Sequence, residues 1–149
     1  MTNPSVTTRN ELFLGLFTTA LEGGIGYWSQ ALSYHWCNDG GTEDYEGFNA
    51  LVVDTEEHEC LSTRRDDAGV LHAYCHEEGC DGKDVGLLIN RDVIAKGYRL
   101  ATSPAWRNAL AWSSDKPPLV ITEDTDWDYD AGDADMIVQL GLFDKVVFG

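Results

Sequence analysis

All four cysteines and all four histidines of the chain fall between positions 35 and 80, as His35-Trp-Cys37, His58-Glu-Cys60, His72-Ala-Tyr-Cys75 and His76-Glu-Glu-Gly-Cys80. Thiolate and imidazole are the preferred donors for structural zinc. Side chains two apart on a strand share a face, so His35 and Cys37 can present two donors together, and Cys60, Cys75, His76 and Cys80 can complete a site. The competing explanation is plain: paired CxxC knuckles are absent, and cysteine is also a common buried small hydrophobe. A thiol nucleophile fits poorly, because Glu56, Glu57, Glu59, Glu77 and Glu78 crowd these cysteines and favour the thiol over the thiolate. HExxH, the deaminase HxE with PCxxC, phosphate-binding glycine loops and the nucleophile elbow are all missing. The sequence therefore assigns no catalytic residue, and zinc is the one cofactor it admits.

A second concentration of chemistry lies near the other end. Glu123, Asp124, Asp126, Asp128, Asp130, Asp133 and Asp135 place seven carboxylates in thirteen residues, interleaved with Trp127 and Tyr129. Asp126, Asp128 and Asp130 alternate like the first ligands of a calcium loop, but the glycine and terminal glutamate of such a loop are out of register. They can instead stand where phosphates would and engage a basic nucleic-acid-binding protein. Solvation is the commoner fate of such a run, and Asp133 and Asp135 also suit the positive end of a helix dipole. Downstream, Gln139-Leu140-Gly141-Leu142-Phe143 is similar to the QLxLF peptide by which bacterial proteins dock in the sliding-clamp pocket, with Gln139, Leu140, Leu142 and Phe143 as the contacting residues. The apolar spacing fits the inner face of a helix equally well, and core packing is the preferred reading. Near the start, Glu22 beside Gly23-Gly24 and Tyr27-Trp28 is the most pocket-like grouping, since aromatic rings can stack a ligand; a helix end beside core aromatics is the preferred alternative.

The elements that must position these residues follow from periodicity. Thr8-Arg-Asn-Glu11 reads as a capping box before Leu12, Phe13, Leu16, Phe17, Ala20 and Leu21, and Gly23-Gly24 ends that helix. Near alternation from Ile25 to Trp36 favours a strand, with Ser29-Gln30-Ala31-Leu32 also compatible with a second helix. Phe48 to Asp54 and Gly69 to Cys75 read as strands pairing in a long hairpin across a charged turn at Arg64 to Asp67. Val85 to Ile89 is a short apolar run, after which Asn90 caps a helix through Val93, Ile94, Gly97, Tyr98 and Ala101. Ser103-Pro104 opens another helix, Leu119 to Thr122 a short strand, and Asp133 caps a final helix to about Phe143. These elements predict one α+β domain over 1–149, a small antiparallel or mixed sheet flanked by about four helices.

With 43% hydrophobic and 11% aromatic residues, the 149-residue chain has the apolar surface to fold unaided. Its formal charge of -16 repels phosphate backbones and anionic membranes, which disfavours direct nucleic-acid binding and suits solubility first, then a basic protein partner, cation binding or imitation of the DNA backbone. No apolar run reaches the roughly eighteen residues of a membrane span, and MTNPSVTTRNE lacks the pattern of an export signal, so a cytosolic protein with reduced thiols is expected.

The segment Thr18 to Trp28, which reads TALEGGIGYW from Thr19, and the terminus Asp133 to Gly149 resemble an uncharacterised family of small tailed-bacteriophage proteins with TALEGGxxYW near the start and ADxIVQxxLFxxxVxG at the end. The DVIAKG core of the helix after Asn90 fits the same setting. Together these stretches cover roughly a third of the chain and exclude the Cys and His cluster. The resemblance implies a phage origin and a place in the host bacterial cytoplasm, and it carries no activity. The function expected is a non-enzymatic accessory protein that binds and modulates a bacterial host protein, in host takeover or counter-defence. The alternatives are an enzyme or small-ligand protein with a non-standard site, and a virion-associated protein that self-associates.

Overall fold

A computed structural model describes residues 6–103 and 129–148. Helix α1 spans Val6–Thr19 and runs into a π-helical turn, Ala20–Gly24, closed by the Ile25 amide donating to the Ala20 carbonyl at 2.9 Å. The helix begins ahead of Thr8, so the Thr8–Glu11 box lies inside it rather than at its start. Leu12, Leu16, Phe17 and Ala20 are fully buried, as their spacing requires of one helical face. Gly24 earns its place by close approach: a Cβ there would meet the Ala131 carbonyl oxygen at 2.7 Å, and it is not in the left-handed conformation expected of it.

Strands β1 (Ser29–His35), β2 (Asn49–Asp54) and β6 (Leu87–Asn90) form one antiparallel sheet in the order β1-β2-β6. The 25–36 segment is thus a strand over its second half, and the option of a second helix there is removed. Central β2 is buried from Ala50 to Val53, which explains its unbroken apolar run. A second antiparallel sheet, in the order β3-β4-β5, contains β3 (Leu61–Arg65), β4 (Leu71–Cys75) and β5 (Lys83–Asp84).

The long hairpin expected between 48–54 and 69–75 does not form. Strand β4 pairs instead with β3, Leu61 opposite Cys75 and Arg65 opposite Leu71, across a turn at Asp66–Val70. Arg64 and Arg65 belong to the strand, not the turn. The reason is that β3 is polar on both faces, LSTRR with four exposed residues, and carries none of the hydrophobic alternation that announces a half-buried strand.

Helix α2 (Arg91–Ala101) starts as expected, with the Asn90 side chain accepting from the Val93 amide at 3.1 Å. Helix α3 (Ala131–Phe143) is capped by Asp130 rather than Asp133: Asp130 Oδ1 accepts from the Asp133 amide at 2.8 Å, and Asp133 Oδ2 accepts from the Asp130 amide at 3.1 Å. Helices α2 and α3 touch backbone to backbone, because a Cβ on Gly97 would collide with the Ile137 carbonyl and one on Gly141 with the Val93 carbonyl. The fold is α+β with two small antiparallel sheets and three α-helices among the described residues, fewer helices than expected. The helix opened by Ser103-Pro104 and the strand at Leu119 to Thr122 lie outside the described residues. Phe17, Trp28, Phe48, Ile89, Ile94, Ile137 and Leu140 join the three helices and the first sheet into one core. No helix among the described residues is long and apolar enough to cross a membrane.

Candidate metal centre

Where the second sheet meets the end of β2, three donor atoms converge. Cys75 closes β4 and is fully buried. The chain then turns through Gly79, Asp81 and Gly82, all with positive φ, while the Gly82 amide donates to the Cys75 carbonyl at 2.8 Å and the Cys80 amide to the Glu77 carbonyl at 3.0 Å. These bonds carry Cys80 back over Cys75. His58 comes from a different element, the tight turn after β2, where its amide donates to the Asp54 carbonyl at 3.1 Å. That turn is tied to the first sheet by the Thr55 amide, which donates to the Trp28 carbonyl at 2.9 Å.

His58 Nδ1 stands 3.3 Å from Cys75 Sγ and 3.6 Å from Cys80 Sγ, and all three atoms lie within 4.8 Å of one another. Tetrahedral zinc, with bonds of about 2.3 Å to sulfur and about 2.0 Å to nitrogen, sets its ligand atoms about 3.5–3.8 Å apart. The group could hold a metal ion. The Cys80 thiol is pushed above its ordinary value of 9.0 by its hydrogen bond to Cys75, with burial and the Cys75 and Glu77 charges adding to the effect and Lys83 opposing it. Such a thiol is protonated near neutral pH, and a bound dication would displace the proton.

Of the ligands expected from sequence, only Cys75 and Cys80 come together here. His35 Nε2 pairs with Asp44 Oδ2 at 2.9 Å, and the Cys37 backbone forms an isolated antiparallel bridge with that of Glu43. Hydrogen bonding to His35, then to the Gly47 amide, holds the Asp44 carboxyl below its usual range. His76 Nε2 is bonded to the Ser62 hydroxyl at 2.5 Å, and Cys60 is exposed, outside the group of three. His58 belongs to the sequence cluster, but its spacing does not mark it as a ligand. Its partners are 17 and 22 residues away, and only the packing of the β2 turn against the small sheet reveals them.

The pocket-like residues near the start part ways: Trp28 turns into the core, whereas Tyr27, 52% exposed, lies at the surface. Trp28 is fully buried and donates from Nε1 to Asp135 Oδ1 at 2.9 Å, while the Tyr27 hydroxyl donates to Asp135 Oδ2 at 2.6 Å. Glu22 is exposed and accepts from the Tyr34 hydroxyl at 3.3 Å.

The QLGLF segment forms the last turns of α3, with Gln139 and Leu140 fully buried and Leu142 and Phe143 half-buried. Gln139 Oε1 accepts from the Val147 and Phe148 amides, both at 2.8 Å, and its Nε2 donates to Asp135 Oδ1 at 2.9 Å and to the Phe148 carbonyl at 3.1 Å. Phe148 stacks on Trp28 with ring centroids 4.6 Å apart and planes 5° apart. The two sequence motifs at the chain's ends thus meet in one buried network. Of the acidic candidates, Asp130 is spent as a helix cap, and Asp126 and Asp128 lie outside the described residues. Comparison with protein-family models, curated proteins and solved structures finds no match to the chain.

Proposed function

We propose that the chain is a non-enzymatic accessory protein of a tailed bacteriophage that acts in the host cytoplasm by binding a basic bacterial protein, and that it carries one zinc ion on His58, Cys75 and Cys80. The zinc reading rests on one observation, the convergence of an imidazole and two sulfurs at 3.3 and 3.6 Å. Two sulfurs and a nitrogen select zinc over magnesium or calcium, which take oxygen. Elemental analysis of the protein purified without chelator should give one zinc per chain; absence of stoichiometric metal in both purified and zinc-dialysed protein removes the reading.

The partner reading draws on the formal charge of -16 and the resemblance of both terminal motifs to phage proteins. It gains weight from the fate of Trp28, the largest aromatic of the pocket-like group, which is fully buried and bonded to Asp135 instead. A nucleic-acid-binding protein is the partner of suitable charge. The sliding clamp is disfavoured, because Gln139 and Leu140 would have to leave the core to enter its groove. Capture from bacterial lysates, followed by reconstitution from pure components, should yield a basic partner whose affinity falls steeply between low and high salt. A partner bound with no salt dependence, or none reconstituted from several hosts, tells against it.

A further inference from the structure

We infer that Glu77 is the fourth ligand of the centre formed by His58, Cys75 and Cys80, so that four protein side chains close the site around the ion. This rests on the metal reading above. Glu77 sits between the two cysteines on the same turn, two residues after Cys75 and three before Cys80. Its Oε2 lies 3.8 Å from Cys75 Sγ, near the separation of about 3.6 Å that zinc–oxygen and zinc–sulfur bonds impose on neighbouring ligands. The other oxygen, Oε1, accepts from the Glu59 amide at 2.8 Å, which fixes the carboxylate beside the cysteines and leaves Oε2 for the ion. Glu77 is half-buried, whereas Glu78, the next residue, is exposed. The carboxylate stands outside the mutual 4.8 Å cluster of the other three donors, so ligation requires it to shift toward them.

The closure decides what kind of site this is. Catalytic zinc keeps a position open for water, whereas structural zinc is enclosed by four protein ligands. Two thiolates with one carboxylate more than neutralise a bound dication. The metal joins the turn after β2, part of the first sheet's frame, to the small β3-β4-β5 sheet. Its work is to staple one sheet to the other.

Cobalt(II) substitution of the full chain tests this. The wild-type protein should take up one cobalt with sulfur-to-metal charge transfer and the intense visible bands of four-coordinate cobalt, and added imidazole should leave the spectrum unchanged. Glu77→Gln retains an acceptor for the Glu59 amide, so the turn is preserved; it should weaken cobalt binding at least tenfold and make the spectrum responsive to imidazole. Glu78→Gln should do neither. If Glu77→Gln binds cobalt with wild-type affinity and spectrum, Glu77 is not a ligand and the metal reading stands alone. If wild-type protein binds no cobalt or zinc, the metal reading itself fails.

Discussion

Gln139 uses its amide on both sides: Oε1 receives two backbone amides of the returning tail, and Nε2 reaches Asp135. Gln139→Leu keeps the volume but strands those amides and removes a donor from a buried carboxylate. Each buried polar group left unpaired costs about 1–3 kcal/mol, so a loss of roughly 3 kcal/mol is expected in urea unfolding, with a changed near-ultraviolet signal from Trp28. A loss below about 1 kcal/mol would mean that water replaces the lost partners. His72 offers a second test. Its Nε2 meets Asp66 Oδ2 and its Nδ1 meets Asp84 Oδ2, each at 2.9 Å, and these hydrogen bonds raise the imidazole above its ordinary 6.5, Asp66 contributing most. A raised folded value stabilises in full below 6.5 and fades as pH climbs through it. The β3-β4-β5 sheet should therefore exchange its amides faster as pH rises past neutrality, after correction for intrinsic exchange. His72→Gln should remove that dependence. Asp66, held low chiefly by the same bond, sets the acid limit, its contribution disappearing as pH falls through a value under 3.8.

At the level of elements, the α2–α3 contact has no room for a methyl group. Gly97→Ala and Gly141→Ala should each cost more than the usual 1–3 kcal/mol of overpacking, because the obstruction is backbone, whereas Gly23→Ala meets nothing within 4 Å and should be neutral or stabilising by about 0.5 kcal/mol. Urea midpoints of the three variants would read this directly, and similar values for all three would contradict the crossing. Here the sequence was most informative: helical periodicity and Asn90 announced α2, and the apolar run of 137–143 announced α3. It was least informative for β3, where polarity hid the strand and misdirected the partner of β4. The candidate centre was half legible. Cys75 and Cys80 share a local turn that spacing can indicate, but His58 arrives through tertiary packing that no short-range pattern encodes.

Across the whole molecule, 26 acidic residues face 10 basic ones. Self-repulsion of that size opposes compaction, and salt screens it over a Debye length of about 3 Å at 1 M against about 30 Å at 0.01 M. The melting temperature should rise from 0.01 M to 0.5 M sodium chloride; an unchanged or lower value would show that the charges are spaced widely enough not to matter.

The bond from Trp28 to Asp135 spans 107 residues. Until residues 131–148 have emerged from the ribosome, α1 and the first sheet lack the Ile137 and Leu140 side chains that cover them, and Trp28 has neither its hydrogen-bond acceptor nor the Phe148 ring. The core is therefore completed by a contact 107 residues apart in sequence, a loop closure of the kind that slows folding.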